Sequence, residues 1–308
     1  MAQYFTERLQ KVFHMIFKSY NQEMAQEGLR QLELIVNNQH TPEQPNHRAL
    51  RNDMTTSLEN EIDTKEDALK IANNPEAREI ADAYALLARI YAGPRFTWEE
   101  SNFPENNMRT YQCLHDSIRR CSPIGNLQAL RINGTITPTV EKDMLISFDD
   151  AFRIVYNYAE QGDAFCQYII GNVFFWRDDD RISLARDMIT PPRKSWSKRI
   201  QQSLQKGSIQ ERLATLQGTV SDETLQENAT KLAKEWFNKA LDNGLAMFQG
   251  NLRNIYIDEG DFNNARRVAL TAAELGNPTM MLYTGLDCHE HGKFEDAFTW
   301  FTKGAALG

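Results

Sequence analysis

Apolar residues along the C-terminal half of the chain fall on a helical period, and the helices they predict recur. Four segments share one pattern: Ala151–Gly162, Ala233–Gly244, Ala265–Gly276 and Ala297–Gly308 each place Ala eleven residues before a closing Gly. Three residues after the Ala come Ile154, Trp236, Val268 and Trp300, followed by Val155, Phe237, Ala269 and Phe301. Near the end come Ala159, Leu241, Ala273 and Ala305. Large apolar positions followed four or five residues later by small ones define one face of a helix. Gly just past the last turn is the expected left-handed cap. Three of the closing glycines are 32 residues apart, and the remaining gap of 82 equals one period plus a 50-residue insertion.

Upstream of these segments the pattern predicts partner helices: Asp163–Trp176, Leu245–Glu259 and Pro278–His291. The turns match column for column, with Gly260, Phe262 and Ala265 against Gly292, Phe294 and Ala297. Gly171 and Gly285 each lie nine residues beyond the preceding closing Gly, where a small residue lets two helices approach closely. Each unit therefore reads as a helix hairpin that cannot bury its apolar face alone.

In the N-terminal half the stripe Phe5, Leu9, Val12, Phe13, Ile16, Phe17, Tyr20 continues through Leu29, Leu32 and Ile35. Pro42 and Pro45 mark a polar loop at His40–His47, and Asn74-Pro75 opens a helix that Gly93-Pro94 closes. A divergent repeat is expected around 75–121, loop at Arg95–Asn107, and an ordered loop or short hairpin at Ile124–Thr139. The insertion, roughly 177–228, starts with an acidic loop at Asp178–Asp180 and carries a helix at Ser197–Gln217. Ser221-Asp222-Glu223 reads as an N-cap with acids in the first turn. The expected division is a helical region 1–147 and repeats over 148–308.

Trp236-Phe237-Asn238-Lys239-Ala240-Leu241-Asp242-Asn243-Gly244 and Trp300-Phe301-Thr302-Lys303-Gly304-Ala305-Ala306-Leu307-Gly308 resemble the Sel-one-like repeat, whose second helix reads aromatic-aromatic-x-Lys-Ala-Ala-x-x-Gly. The turns at Gly260–Ala265 and Gly292–Ala297 look equally like the related tetratricopeptide repeat. The 32-residue spacing is shorter than either family's period, and the Gly-x-Gly-Val turn of Sel-one-like units is missing. The resemblance implies an all-α fold, a right-handed superhelical solenoid of antiparallel hairpins, serving as a non-catalytic scaffold or adaptor. It implies binding on a concave surface lined by first helices. Carried over by column, that surface holds Tyr168, Asn172 and Phe175, then Asn254 and Asp258, then His289 and Glu290, with Trp176 beside Phe175 as an aromatic anchor.

Composition narrows the partner. With 34 basic and 42 acidic residues the formal charge is −8, which opposes nucleic acid and favours a neutral or basic protein or peptide. The longest apolar run, Tyr168–Trp176, has nine residues against about 20 for a membrane span. Cys113, Cys121, Cys166 and Cys288 follow no disulfide framework, and the first residues lack a signal-peptide pattern. A cytoplasmic protein is expected, or one delivered into a host cell as a bacterial effector. The repeat boundary at Gly308 suggests a longer parent.

Candidate chemistry is thin. Cys288-His289-Glu290-His291 contains metal-ligand types, yet no second Cys/His pair stands at finger spacing. Cys113, His115 and Cys121 do not form one line, and glycine-rich phosphate loops are absent from the sequence. No catalytic residue, metal or cofactor is expected. The rival is an enzyme whose site is built from the N-terminal half and the insertion.

Overall fold

The computed structural model describes residues 3–37, 64–93, 105–132, 143–190, 221–247 and 249–307. Among them the protein is all-helical, with fourteen α-helices and no strand. None of the described helices is long and apolar enough to cross a membrane.

The recurrence in sequence is a recurrence of hydrogen bonds. Helices α7 (Phe148–Glu160), α10 (Asp222–Asp242) and α12 (Phe262–Glu274) are followed by Gly162, Gly244 and Gly276, with φ of 96°, 82° and 103°. An L side chain is strained there, so Gly is selected. At the three sites the amide after the Gly returns to the helix: Asp163 to Tyr158, Leu245 to Ala240 and Asn277 to Ala272 carbonyls, at 3.0, 2.9 and 3.0 Å. This six-residue closure satisfies carbonyls that a helix end leaves bare. The other edge repeats too: Gly260 and Gly292 have φ of 74° and 73°, and Asp261 and Lys293 donate to Tyr256 and Cys288.

The helices between these turns are α8 (Ala164–Phe175), α11 (Gly250–Asp258) and α13 (Pro278–Glu290). Pairs α8 with α10, α11 with α12, and α13 with α14 (Phe294–Ala305) pack on each other. The α8–α10 pairing bridges the insertion, whose described part holds a short helix, α9 (Ser183–Ile189). Asn228 Nδ2 donates to the Ile189 carbonyl at 2.7 Å, and the Leu184 amide donates to Asp149 at 2.9 Å, tying α9 to α10 and α7. Ser221 caps α10 by accepting from the Thr224 amide at 3.3 Å.

Helix α1 (Glu7–Phe17), α2 (Gln22–Asn37), α3 (Lys65–Asn73), α4 (Pro75–Tyr91), α5 (Asn107–Arg119) and α6 (Pro123–Ile132) precede them. Asn74 caps α4 by accepting from the Glu76 and Ala77 amides. A polar knot joins these helices to α7 and α8. Arg78, fully buried, donates to Asp82 Oδ2 (2.9 Å) and to the Ala72 and Tyr4 carbonyls (2.7 and 2.6 Å). Asp82 also accepts from Ser122 (2.7 Å) and the Tyr4 hydroxyl (3.2 Å), while the Tyr4 amide donates to Asp163 (3.0 Å). Every lone pair and N–H spent here is one not orphaned in the core. The hydrophobic core runs unbroken from Tyr4 to Met281, across the 147/148 boundary.

The N-terminal stripe is carried by two helices, which part where Tyr20 takes φ 48°. Three expectations need correction. Pro123–Ile132 is helix α6; its residues Ile124, Leu127 and Ala129 are buried, and Gly125 sits where a Cβ would strike Ser117. Helix α11 starts at Gly250 instead of Leu245. Side chains take over the carbonyls of its missing turn, Gln249 donating to Leu245 (2.7 Å) and Asn277 to Ala246 (2.9 Å). Asp178–Asp180 is a short 3-10 turn in which Asp178 is buried and Asp180 exposed. The expected loop at His40–His47 and helix at Ser197–Gln217 lie outside the described residues, as do most of Arg95–Asn107 and residues 133–139.

Candidate functional site

The eight residues expected to line one concave face do not all reach a surface. Tyr168 is 6% exposed, its hydroxyl accepting from Arg89 Nη2 at 3.1 Å and its ring 5.9 Å from that of Phe237; it is a core residue. Asn172 is half-buried, with Oδ1 3.4 Å from Asn251 Nδ2. Phe175 leans on Phe237 and meets Trp176 edge to face at 4.8 Å, leaving Trp176 50% exposed. Asn254 and Asp258 are exposed on α11; His289 and Glu290 are exposed on α13, the imidazole lying 5.4 Å from the Phe294 ring.

A groove forms instead among α11, α12, α13 and α14. It encloses about 680 Å³, and Glu290 is the sequence candidate that borders it. It coincides with a departure in the middle hairpin. In the neighbouring pairs a first-helix glycine faces a second-helix phenylalanine: a Cβ on Gly171 would lie 2.6 Å from the Phe237 ring, and one on Gly285 2.5 Å from Phe301. The same columns in α11 and α12 hold Arg253 and Ala269. The preceding column holds Val268 where its neighbours have Trp236 and Trp300. Two aromatic rings are missing from the middle of the stack, and space remains beside Ala265 and Ala269, with Trp300 on the far wall.

Charge on the walls is ordered. Arg266 Nε donates to Asp287 at 2.6 Å, and Arg267 donates to Asn238 at 2.8 Å and Asn264 at 3.2 Å. The Arg253 guanidinium lies over the Tyr283 ring, 4.0 Å from its centroid. Lys293 and Asp296 stand toward the α14 side. The signal for these residues was in the columns: Arg253 and Ala269 are where the recurrence fails.

The surroundings of the cysteine candidates favour the thiol over the thiolate. Burial pushes Cys113 up to about 12 and Cys121 up to about 11. His115 Nε2 lies 2.7 Å from Asp143, its ring stacked near Tyr111, with no nucleophile bonded to it. Cys288 is half-buried, and burial together with Asp296 and Asp287 raises its pKa. His291 Nδ1 is 2.7 Å from the Asp287 carbonyl and Nε2 3.2 Å from Arg266, so its ring is engaged locally. Among the described residues no three His, Cys, Asp or Glu side chains are grouped to hold a metal ion. The hollow joins an apolar part at Ala265, Ala269 and Trp300 to walls rich in charged side chains.

The chain matches no family model, no curated protein and no solved structure.

Proposed function

We propose that the protein is a non-catalytic scaffold of the Sel-one-like or tetratricopeptide type, a right-handed superhelical solenoid that holds a segment of another protein. The observation that carries this reading is the 680 Å³ groove between the last two hairpins. It is a place where stacked helices leave concave space lined from four elements at once, as solenoids do when they bind. The repeating turns and the Gly–Phe contacts of the flanking pairs support the family assignment. Four cysteines with no disulfide between them suit a reducing cytoplasm.

The experiment is peptide-array binding by the full chain, repeated with R253G/A269F. That double exchange writes the neighbours' Gly–Phe pair into the middle hairpin and closes the hollow. The folded double variant should lose the peptides that the wild type retains. Undiminished binding by a folded double variant refutes the groove as the site.

A further inference from the structure

The middle hairpin replaces a packed pair by a hollow and a cation together. Ala269 opens the space, and Arg253, in the glycine column, projects into it. Arg253 is half-buried against Tyr283, and among the described residues no carboxylate pairs with it. Its neighbours differ: Arg266 is held by Asp287, and Arg267 by Asn238 and Asn264. A guanidinium lying over a ring keeps the N–H donors of its own plane available to grip a planar anion in bidentate fashion.

We propose that the groove recognises a peptide segment carrying a side-chain carboxylate next to an apolar residue. This rests on the peptide-binding reading above. The carboxylate meets Arg253 over Tyr283, and the apolar side chain fills the hollow at Ala269 against Trp300. The overall charge of −8 counts for little at the groove, since exposed charges are screened beyond roughly 8 Å at physiological ionic strength. Inside the groove the guanidinium over Tyr283 decides, being half-buried, whereas the other lining cation without an ion pair among the described residues, Lys293, is exposed. Glu290 and Asp296 line its other side, so one acid is preferred to an acidic run.

The test uses the full chain and immobilised short peptides with a central Glu flanked by Leu and Phe, compared with Gln or Lys at that place, in about 0.15 M salt. The expected result is about 10- to 100-fold tighter binding of the Glu series than the Gln series, the range for a charged hydrogen-bonding partner. R253Q should erase the Glu-over-Gln preference while still binding both, and R253G/A269F should bind neither. Circular dichroism establishes that each variant is folded. Alkylation of Cys288, which lines the groove, should slow when the Glu peptide is bound to wild type. Equal wild-type affinity for Glu and Gln peptides, or a Glu preference surviving in R253Q, overturns this inference and leaves peptide binding intact. A folded wild type that binds no peptide overturns both.

Discussion

Restoring the neighbours' packing to the middle hairpin puts the account of the groove at risk in a measurable way. Ala269→Phe alone forces a ring into space that Arg253 shares, and overpacking of this kind costs about 1–3 kcal/mol. Arg253→Gly alone places glycine inside α11, costing about 1 kcal/mol. It also removes the stack on Tyr283, a further 0.5–1 kcal/mol or so. Together the changes behave differently. The new ring enters the volume vacated by the arginine, in the geometry that Gly171 gives Phe237. Burying a phenylalanine contributes about 1.5–3 kcal/mol, which offsets both losses and leaves the double variant within about 1 kcal/mol of wild type. The coupling energy is therefore about 2.5–5 kcal/mol in favour of the pair. Urea unfolding of all four proteins by circular dichroism, at equal slopes, measures it. If the two losses simply add, within about 0.5 kcal/mol, Arg253 and Ala269 do not face one another and the hollow has another cause.

Three more consequences follow from the same contacts. Gly171→Ala should lower stability by about 1–3 kcal/mol because Phe237 is fully buried and cannot yield. Gly285→Ala should be near neutral, since the half-buried Phe301 can rotate and alanine gains about 1 kcal/mol of helix propensity; equal losses in urea would contradict this. Arg78→Met leaves the Asp82 carboxylate buried without its cation and should cost about 3–5 kcal/mol. Burial already pushes Asp82 up to about 6, so its contribution is present at low pH and lost as pH rises through that value. Without Arg78 the folded pKa rises further and the loss continues upward. The deficit should be larger near pH 8 than near pH 5, and a deficit independent of pH counts against the pairing. Iodoacetamide near pH 8 should label Cys288 first and leave Cys113, Cys121 and Cys166 largely unmodified, because those three lie deeper and are raised chiefly by burial, whereas Cys288 lines the groove. Mass spectrometry reads the order, and early modification of Cys113 would contradict it.

What could be read from sequence was local. A closing glycine is required by a positive φ, an Asn-Pro start by a cap and a first turn, and both leave their mark within a few residues. The 32-residue column of turns was therefore visible, and so was the α8–α10 pairing across the insertion. Long-range partners left no such mark. Tyr168 occupies a first-helix column, yet Arg89, 79 residues earlier, takes its hydroxyl into the core. The start of α11 is lost because the Asn277 and Gln249 side chains serve its carbonyls. The groove left a mark of another kind: Arg253, Val268 and Ala269 matter by departing from their columns.

The two edges of the hairpin row are unequal, and this bears on where a ligand can enter. At the edge where each hairpin hands on to the next, the N-terminal segment is already in place. The Tyr4 amide bonds Asp163 at the start of α8, and the Tyr20 ring lies where a Cβ on Gly276, just before α13, would be 3.3 Å away. A partner approaching there would have to displace α1 and break the Tyr4–Arg78–Asp82 knot, whose members are all buried. The opposite edge carries the turns after α11 and α13, and its Phe262 and Phe294 are exposed. Phe262, Asn263 and Lys293 from those turns line the groove. The hollow therefore opens on the edge that α1 leaves free, and the segment proposed to bind there would meet Arg253 without disturbing the buried knot on the other side.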